Sequence, residues 1–165
     1  MLLTNIKTTM IPVYPEGQKA LFEKLGYSPA VRSGNFLFVA GQVGVGSDGK
    51  VVQDPKEQMR LAFQKVIDLV EAAGMTKEDI VEVKTFHVDM LEHEDVAIEV
   101  KKEFFPHPPF PAFTGLIEVK RLGMEGLLLE VAATAHVPNS LESVQAEVAK
   151  EAQDSVRSDA SGQES

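Results

Sequence analysis

The stretch Asp54-Pro55-Lys56-Glu57-Gln58-Met59-Arg60-Leu61-Ala62-Phe63-Gln64-Lys65-Val66-Ile67-Asp68-Leu69-Val70-Glu71-Ala72-Ala73-Gly74, with Ile80-Val81-Glu82-Val83-Lys84-Thr85-Phe86-His87-Val88 after it, decides the fold. Asp54 can cap a helix, Pro55 fits the first helical position, and Glu57 stands where a capping-box acid belongs. Met59, Phe63, Val66, Ile67 and Val70 then make one apolar stripe at helical period, and Gly74 closes the helix. The second run alternates as a strand does: Val81, Val83, Thr85 and His87 on one side, Glu82, Lys84, Phe86 and Val88 on the other. A helix with one apolar stripe needs an apolar surface to lie on, and a sheet begun by this strand supplies it.

Working outward, a short strand is expected near Ile6–Val13, followed by irregular chain around Pro15, Gly17 and Pro29. Asn35–Gly41, NFLFVAG, is a second apolar strand, and Gly44–Lys50 a loop. Downstream, Glu94–Phe105 predicts a second helix, with Val96, Val100 and Phe104 on one face. Pro106, Pro108, Pro109 and Pro111 forbid helix beyond it. Phe113–Val119 and Leu127–His136 are two further strands around a turn at Leu122–Gly126. The order β-β-α-β-α-β-β predicts an α+β fold, with two helices packed on one face of a sheet. Residues 1–137 are expected to form the domain. Residues 138–165, rich in Ser, Glu, Gln and Ala, are expected to be an acidic tail, partly helical or disordered.

The chain's 165 residues are 44% apolar and 25% charged, the balance of a globular domain. The lack of cysteine excludes disulfides, thiolate metal sites and a cysteine nucleophile. No apolar run approaches the roughly 20 residues that span a bilayer, and the start lacks a signal-peptide pattern. A cytoplasmic protein is the expectation. Net charge is −9, and the four arginines form no basic cluster, so nucleic acid is not an expected partner.

Two helices cover one sheet face only. Phe36, Phe38, Val39, Phe86, Leu116, Ile117, Leu128 and Leu129 cannot all lie beneath them, which predicts an oligomer with sheet faces at its interface. Within the run Leu127–Ala133, Glu130 is a carboxylate among apolar neighbours. It is either a solvated strand acid or a group poised in a cleft, where desolvation would suit it to moving protons. Gly41-Gln42 ends a strand before a glycine-bearing loop; it is a plain turn or a place of close backbone approach to a ligand. His87 stands in an apolar strand, where a histidine is more often structural than catalytic. No metal-site spacing, phosphate loop or nucleophile elbow is present. The motifs alone support a small-molecule cleft and no defined reaction.

The run Gly26-Tyr27-Ser28-Pro29-Ala30-Val31-Arg32-Ser33-Gly34-Asn35-Phe36-Leu37-Phe38-Val39-Ala40-Gly41-Gln42-Val43 resembles the entry signature of the RidA/YjgF superfamily. Glu71–Gly74, Asp79–Asp89 and the closing strand with Glu130 fit the same pattern. Phe86-His87-Val88-Asp89 and Pro109-Phe110-Pro111-Ala112-Phe113-Thr114 resemble its YjgH-like branch. The resemblance implies a chorismate-mutase-like subunit with a mixed sheet. It also implies a homotrimer whose sheets form a central barrel, with three clefts between subunits and no cofactor. RidA proper hydrolyses enamines and imines of 2-amino acids, holding the substrate carboxylate with an Arg that follows a Pro-Ala pair. Here Phe113 follows Pro111-Ala112, and Ile98 takes the place of the family's cleft Asn. Tyr27, Gly41, Gln42 and Glu130 match, while Ala40 replaces the usual Ser.

Loss of the Arg argues against a standard 2-imino acid deaminase. The expectation is a cofactor-free enzyme acting on a reactive small molecule with an imine, enamine or carbonyl-type group, by hydrolysis or proton transfer. Glu130 is its expected acid–base group. Tyr27, Gly41, Gln42, Phe86, His87, Phe113 and Thr114 are expected to bind substrate; Arg32, Lys84 or Lys120 could supply a replacement cation, which the sequence does not place. The alternatives are a non-catalytic binding or regulatory trimer and, against the acidic balance, an RNA-acting relative.

Overall fold

The computed structural model describes residues 10–137. Within them a six-stranded sheet runs in the order β1-β2-β3-β6-β4-β5. The strands are β1 Met10–Val13, β2 Ala30–Ser33, β3 Phe36–Val43, β4 Ile80–His87, β5 Ala112–Glu118 and β6 Leu129–His136. All neighbours are antiparallel except β4 and β5, which are parallel and joined through α3, Met90–Phe104. A parallel pair needs such a crossover, because its strands start at the same end.

Helix α2, Pro55–Ala72, forms as the sequence predicts. The Asp54 carboxylate accepts from the Glu57 N–H at 2.9 Å, and Pro55 opens the first turn. Its stripe of Met59, Phe63, Val66, Ile67 and Val70 is buried in one core with Leu37, Val39, Val83, Leu129, Val131 and Ala133 of the sheet. Helix α3 adds Ala97 and Val100 to this layer, and Phe104 stacks on Phe63 at 5.2 Å between ring centroids. Outside the core, Arg60 of α2 grips Glu103 of α3 through two bonds of 2.8 and 2.9 Å, and Lys56 reaches Glu99 at 2.6 Å.

The α+β class and the mixed sheet are as expected, but the described residues hold three α-helices and six strands rather than two and five. The segment expected to be irregular carries α1, Lys19–Leu25, and β2. Helix α1 is short and buries Phe22 alone, so no apolar stripe announces it. It ends at Gly26, whose φ of 78° is the left-handed turn glycine allows. Strand β2 is four residues long and is stabilised by pairing with both β1 and β3. Helix α3 starts earlier than the expected Glu94, at Met90, where the Glu118 carboxylate accepts from the Met90 N–H at 3.0 Å. The residues expected at 6–9 and the tail expected at 138–165 lie outside the described residues.

Both longer helices pack on one face. On the other face Phe36 and Phe38, stacked at 6.2 Å, remain 44% and 52% exposed. Of the residues that cannot all lie beneath the helices, Val39 and Leu129 are the ones that do, because strand alternation turns them into the core.

Candidate functional site

A concavity lies between the helices and the β4–β5 edge of the sheet. It is a cavity of about 220 Å³. Helix α2 contributes Phe63, α3 contributes Ala97, Ile98 and Lys101, and β6 contributes Leu129. Strand β4 sends in Thr85 and His87, and β5 sends in Phe113 and Leu116. The lining is predominantly apolar, with a few convergent polar groups, as small-molecule sites are.

Local sequence explains each wall. Phe113 pairs with Val83 across the parallel ladder, so both face the helices. Its ring lies along the strand because Gly115 has no side chain: a Cβ there would come within 2.0 Å of the ring. The β4–β5 register shifts between Lys84 and Phe86, and in that irregularity Leu116 takes a left-handed φ of 57°. The bulge re-aims its side chain into the cavity. Ile98 and Lys101 are three apart on α3, hence on one helix face.

The polar floor is a histidine–threonine pair. His87 is 2% exposed, and its Nε2 lies 2.9 Å from Thr85 Oγ1. Its Nδ1 is a buried polar atom with no hydrogen-bond partner. Burial pushes the His87 pKa below the usual histidine value, so the ring is neutral at physiological pH. Among the described residues the charged group in the wall is Lys101, whose Nζ sits 3.9 Å from the centre of the Phe113 ring.

Glu130 stands on the opposite face of the sheet. It is half-buried, pairs across the ladder with Phe86 on β4 and Val43 on β3, and packs on Gly41. A Cβ at Gly41 would lie 1.9 Å from Glu130 Oε1, so glycine is what lets the carboxylate rest there. A β-bulge between Val39 and Gln42 creates this spot. Gln42 is buried and turns its amide back on its own strand, donating to the Ala40 carbonyl at 3.0 Å.

The expected site residues therefore divide. Gly41, Phe86, Glu130 and Thr114, the last paired with Lys84, belong to the open face. His87 and Phe113 belong to the cavity on the helix side. Within one protomer the sheet separates Glu130 from the Phe113 ring. Tyr27 lies at neither place in this chain's own contacts: it is half-exposed and meets Phe22 edge-on at 5.3 Å. Of the expected replacement cations, Arg32 donates to the Ala73 carbonyl at 3.1 Å and Lys84 pairs with Glu82 at 3.0 Å, both away from the cavity. Lys120 is exposed. Sequence reasoning missed Thr85 and Lys101. The signal for Lys101 was its position one turn beyond Ile98; for Thr85 it was alternation with His87.

Comparison with known proteins places this geometry. The family model described as endoribonuclease L-PSP matches residues 17–137. The chain belongs to this family, the RidA/YjgF family. Like its solved members, it sets helices on one side of a mixed sheet. It is 38% identical to the RutC family protein YjgH of Escherichia coli, over 76% of this chain and 94% of that protein. A solved structure of YjgH superposes with a TM-score of 0.72 at 37% identity, over 80% of this chain and 99% of that one. The structure of Escherichia coli TdcF with bound serine has a TM-score of 0.63 at 30% identity, over 68% of this chain and 88% of that one. A 2-iminobutanoate/2-iminopropanoate deaminase of Dermatophagoides farinae is 34% identical over 52% of this chain and 67% of its own length. Some RidA/YjgF proteins are thus imine deaminases. Ile98 and Phe113, singled out in the sequence, both line the cavity.

Among the described residues no cluster of His, Asp and Glu is placed to hold a metal ion. No helix among them is long and apolar enough to cross a membrane.

Proposed function

We propose that this chain acts without a cofactor on a small reactive molecule bearing an imine, enamine or carbonyl-type group, by hydrolysis or proton transfer, and that it is not a standard 2-imino acid deaminase. The observation that carries the reading is the cavity, whose apolar walls close on one neutral histidine. Such walls strip water from a bound molecule and strengthen each polar contact inside. His87 is the group for proton movement there. If Thr85 Oγ1–H donates to Nε2, then Nδ1 carries the ring proton and is a donor; in the other tautomer Nδ1 is an acceptor. Phe113 and Ile98 shape the space for an apolar body where relatives would hold an amino-acid-type headgroup.

A second reading places the chemistry on the open face. There Glu130 is the general acid–base, with the Gly41 backbone orienting ligand or water and Tyr27 closing over it, while Gln42, paired with buried Val131, points to the helix side and takes no part. The close packing of Glu130 on Gly41 favours it. This reading requires an assembly, since within one protomer that face is uncovered. A homotrimer with sheets facing inward would bury Phe36 and Phe38 and form clefts between protomers.

The test is incubation with a panel of imines, enamines and strained carbonyl compounds, read by mass spectrometry beside His87→Asn and Glu130→Gln. Loss of turnover in the histidine variant alone supports the cavity, and loss in the glutamate variant alone supports the open face. Unchanged turnover in both folded variants refutes both assignments. Ligand binding with no turnover in the wild type would make the protein a non-catalytic binding trimer instead. An RNA-acting role would require RNA affinity that falls steeply with salt, against the net charge of −9.

A further inference from the structure

Lys101 is a half-buried ammonium at the wall of an apolar cavity, and among the described residues it forms no ion pair. The carboxylates beside it on α3 are engaged elsewhere. Glu99 is held by Lys56 at 2.6 Å, and Glu103 by Arg60 at 2.8 Å, both across to α2. The face of the Phe113 ring attracts the ammonium and holds it 3.9 Å from the ring centre, yet a ring satisfies none of its three N–H donors. The remaining polar groups of the cavity are neutral: the Thr85 hydroxyl and the His87 ring, which burial keeps unprotonated. Charge and hydrogen-bonding capacity are therefore spatially divided, with a cation at one wall and neutral partners on the floor.

We propose that Lys101 anchors the anionic group of the cavity's ligand, which is a small monocarboxylate with an apolar body lying against Phe113, Ile98 and Leu116. The proposal rests on the cavity reading above and adds the ligand's charge and the residue that reads it. An ammonium is a point charge without the planar fork of a guanidinium, so it tolerates varied carboxylate orientations and leaves selectivity to the apolar walls. One anionic group is the limit, because among the described residues no second cation lines the cavity.

The experiment is calorimetric titration of the full chain with phenylacetate and its neutral isostere phenylacetamide. Wild type is expected to prefer the carboxylate, with a preference that shrinks as salt is raised. Lys101→Met, which keeps the length and apolar stem, is expected to lose on the order of tenfold in phenylacetate affinity and little for the amide. Lys101→Arg should restore most of the preference, and Lys102→Met, an exposed neighbour, should leave it unchanged. Equal binding of both probes by wild type, or full carboxylate preference in Lys101→Met, overturns the role of Lys101 while the cavity stands. Absence of binding by either probe overturns the cavity reading, and the anchor with it.

Discussion

Replacing Gln58 by leucine tests how the sheet is held in register behind the cavity. Gln58 lies within the apolar face of α2 and is 1% exposed. Its Nε2 donates to the Val52 carbonyl at 2.8 Å and to the Gly126 carbonyl at 2.9 Å, and its Oε1 accepts from the Leu128 N–H at 2.7 Å. One side chain thus ties α2 to the loop before it and to the turn that feeds β6. Leucine fills nearly the same space and leaves three backbone groups without a partner. Each costs about 1–3 kcal/mol when buried. Gly126 is exposed and Val52 half-buried, so water reaches both carbonyls and the lower end applies. The sum is about 3 kcal/mol, a large part of the 5–15 kcal/mol typical of a domain. Urea unfolding followed by circular dichroism should show a lower midpoint with an unchanged slope. Gln58→Glu keeps the acceptor for Leu128 but aims a carboxylate at two carbonyls. It should be at least as damaging at neutral pH and should recover partly in acid, where its protonated form can donate again. A Gln58→Leu loss below about 1 kcal/mol, or a pH-independent Gln58→Glu, would refute the reasoning.

Other expectations follow from single contacts. His87 is held below its usual pKa by burial, so the unfolded chain binds the proton more readily. Stability from this group is complete above about pH 6.5 and falls as pH drops toward the folded-state value, by at most about 1.4 kcal/mol per unit. His87→Asn should remove that slope in melts recorded across pH. Gly41→Ala should displace the flexible Glu130 carboxylate at little cost in stability, seen as a small change in melting temperature; activity would fall with it only under the open-face reading. Gly44→Ala should destabilise strongly in the same melt, because its Cβ would meet the Gln58 backbone carbonyl at 2.2 Å, which cannot swing aside. Asp54→Ala should cost about 1 kcal/mol in urea unfolding through loss of the α2 cap.

Much of the fold was legible because its signals are local. The cap at Asp54, the stripe from Met59 to Val70 and the alternation of β4 each follow from neighbours along the chain. The sequence alone therefore determined the α+β class, helix α2, five of the six strands and the family. Helix α1 and strand β2 were not legible, since each is stabilised by its partners more than by its own pattern. Nor was the grouping of the candidate residues. Glu130 and Phe113 looked like companions by family pattern, but which face a residue takes depends on pairing register, and register depends on bulges at Val39/Gln42 and Lys84/Phe86. Only the tertiary structure put His87, Thr85, Phe113 and Lys101 around one cavity and Glu130 behind the sheet. A one-residue slip in a strand exchanges its two faces, and the forces that prevent the slip come from residues distant in the chain.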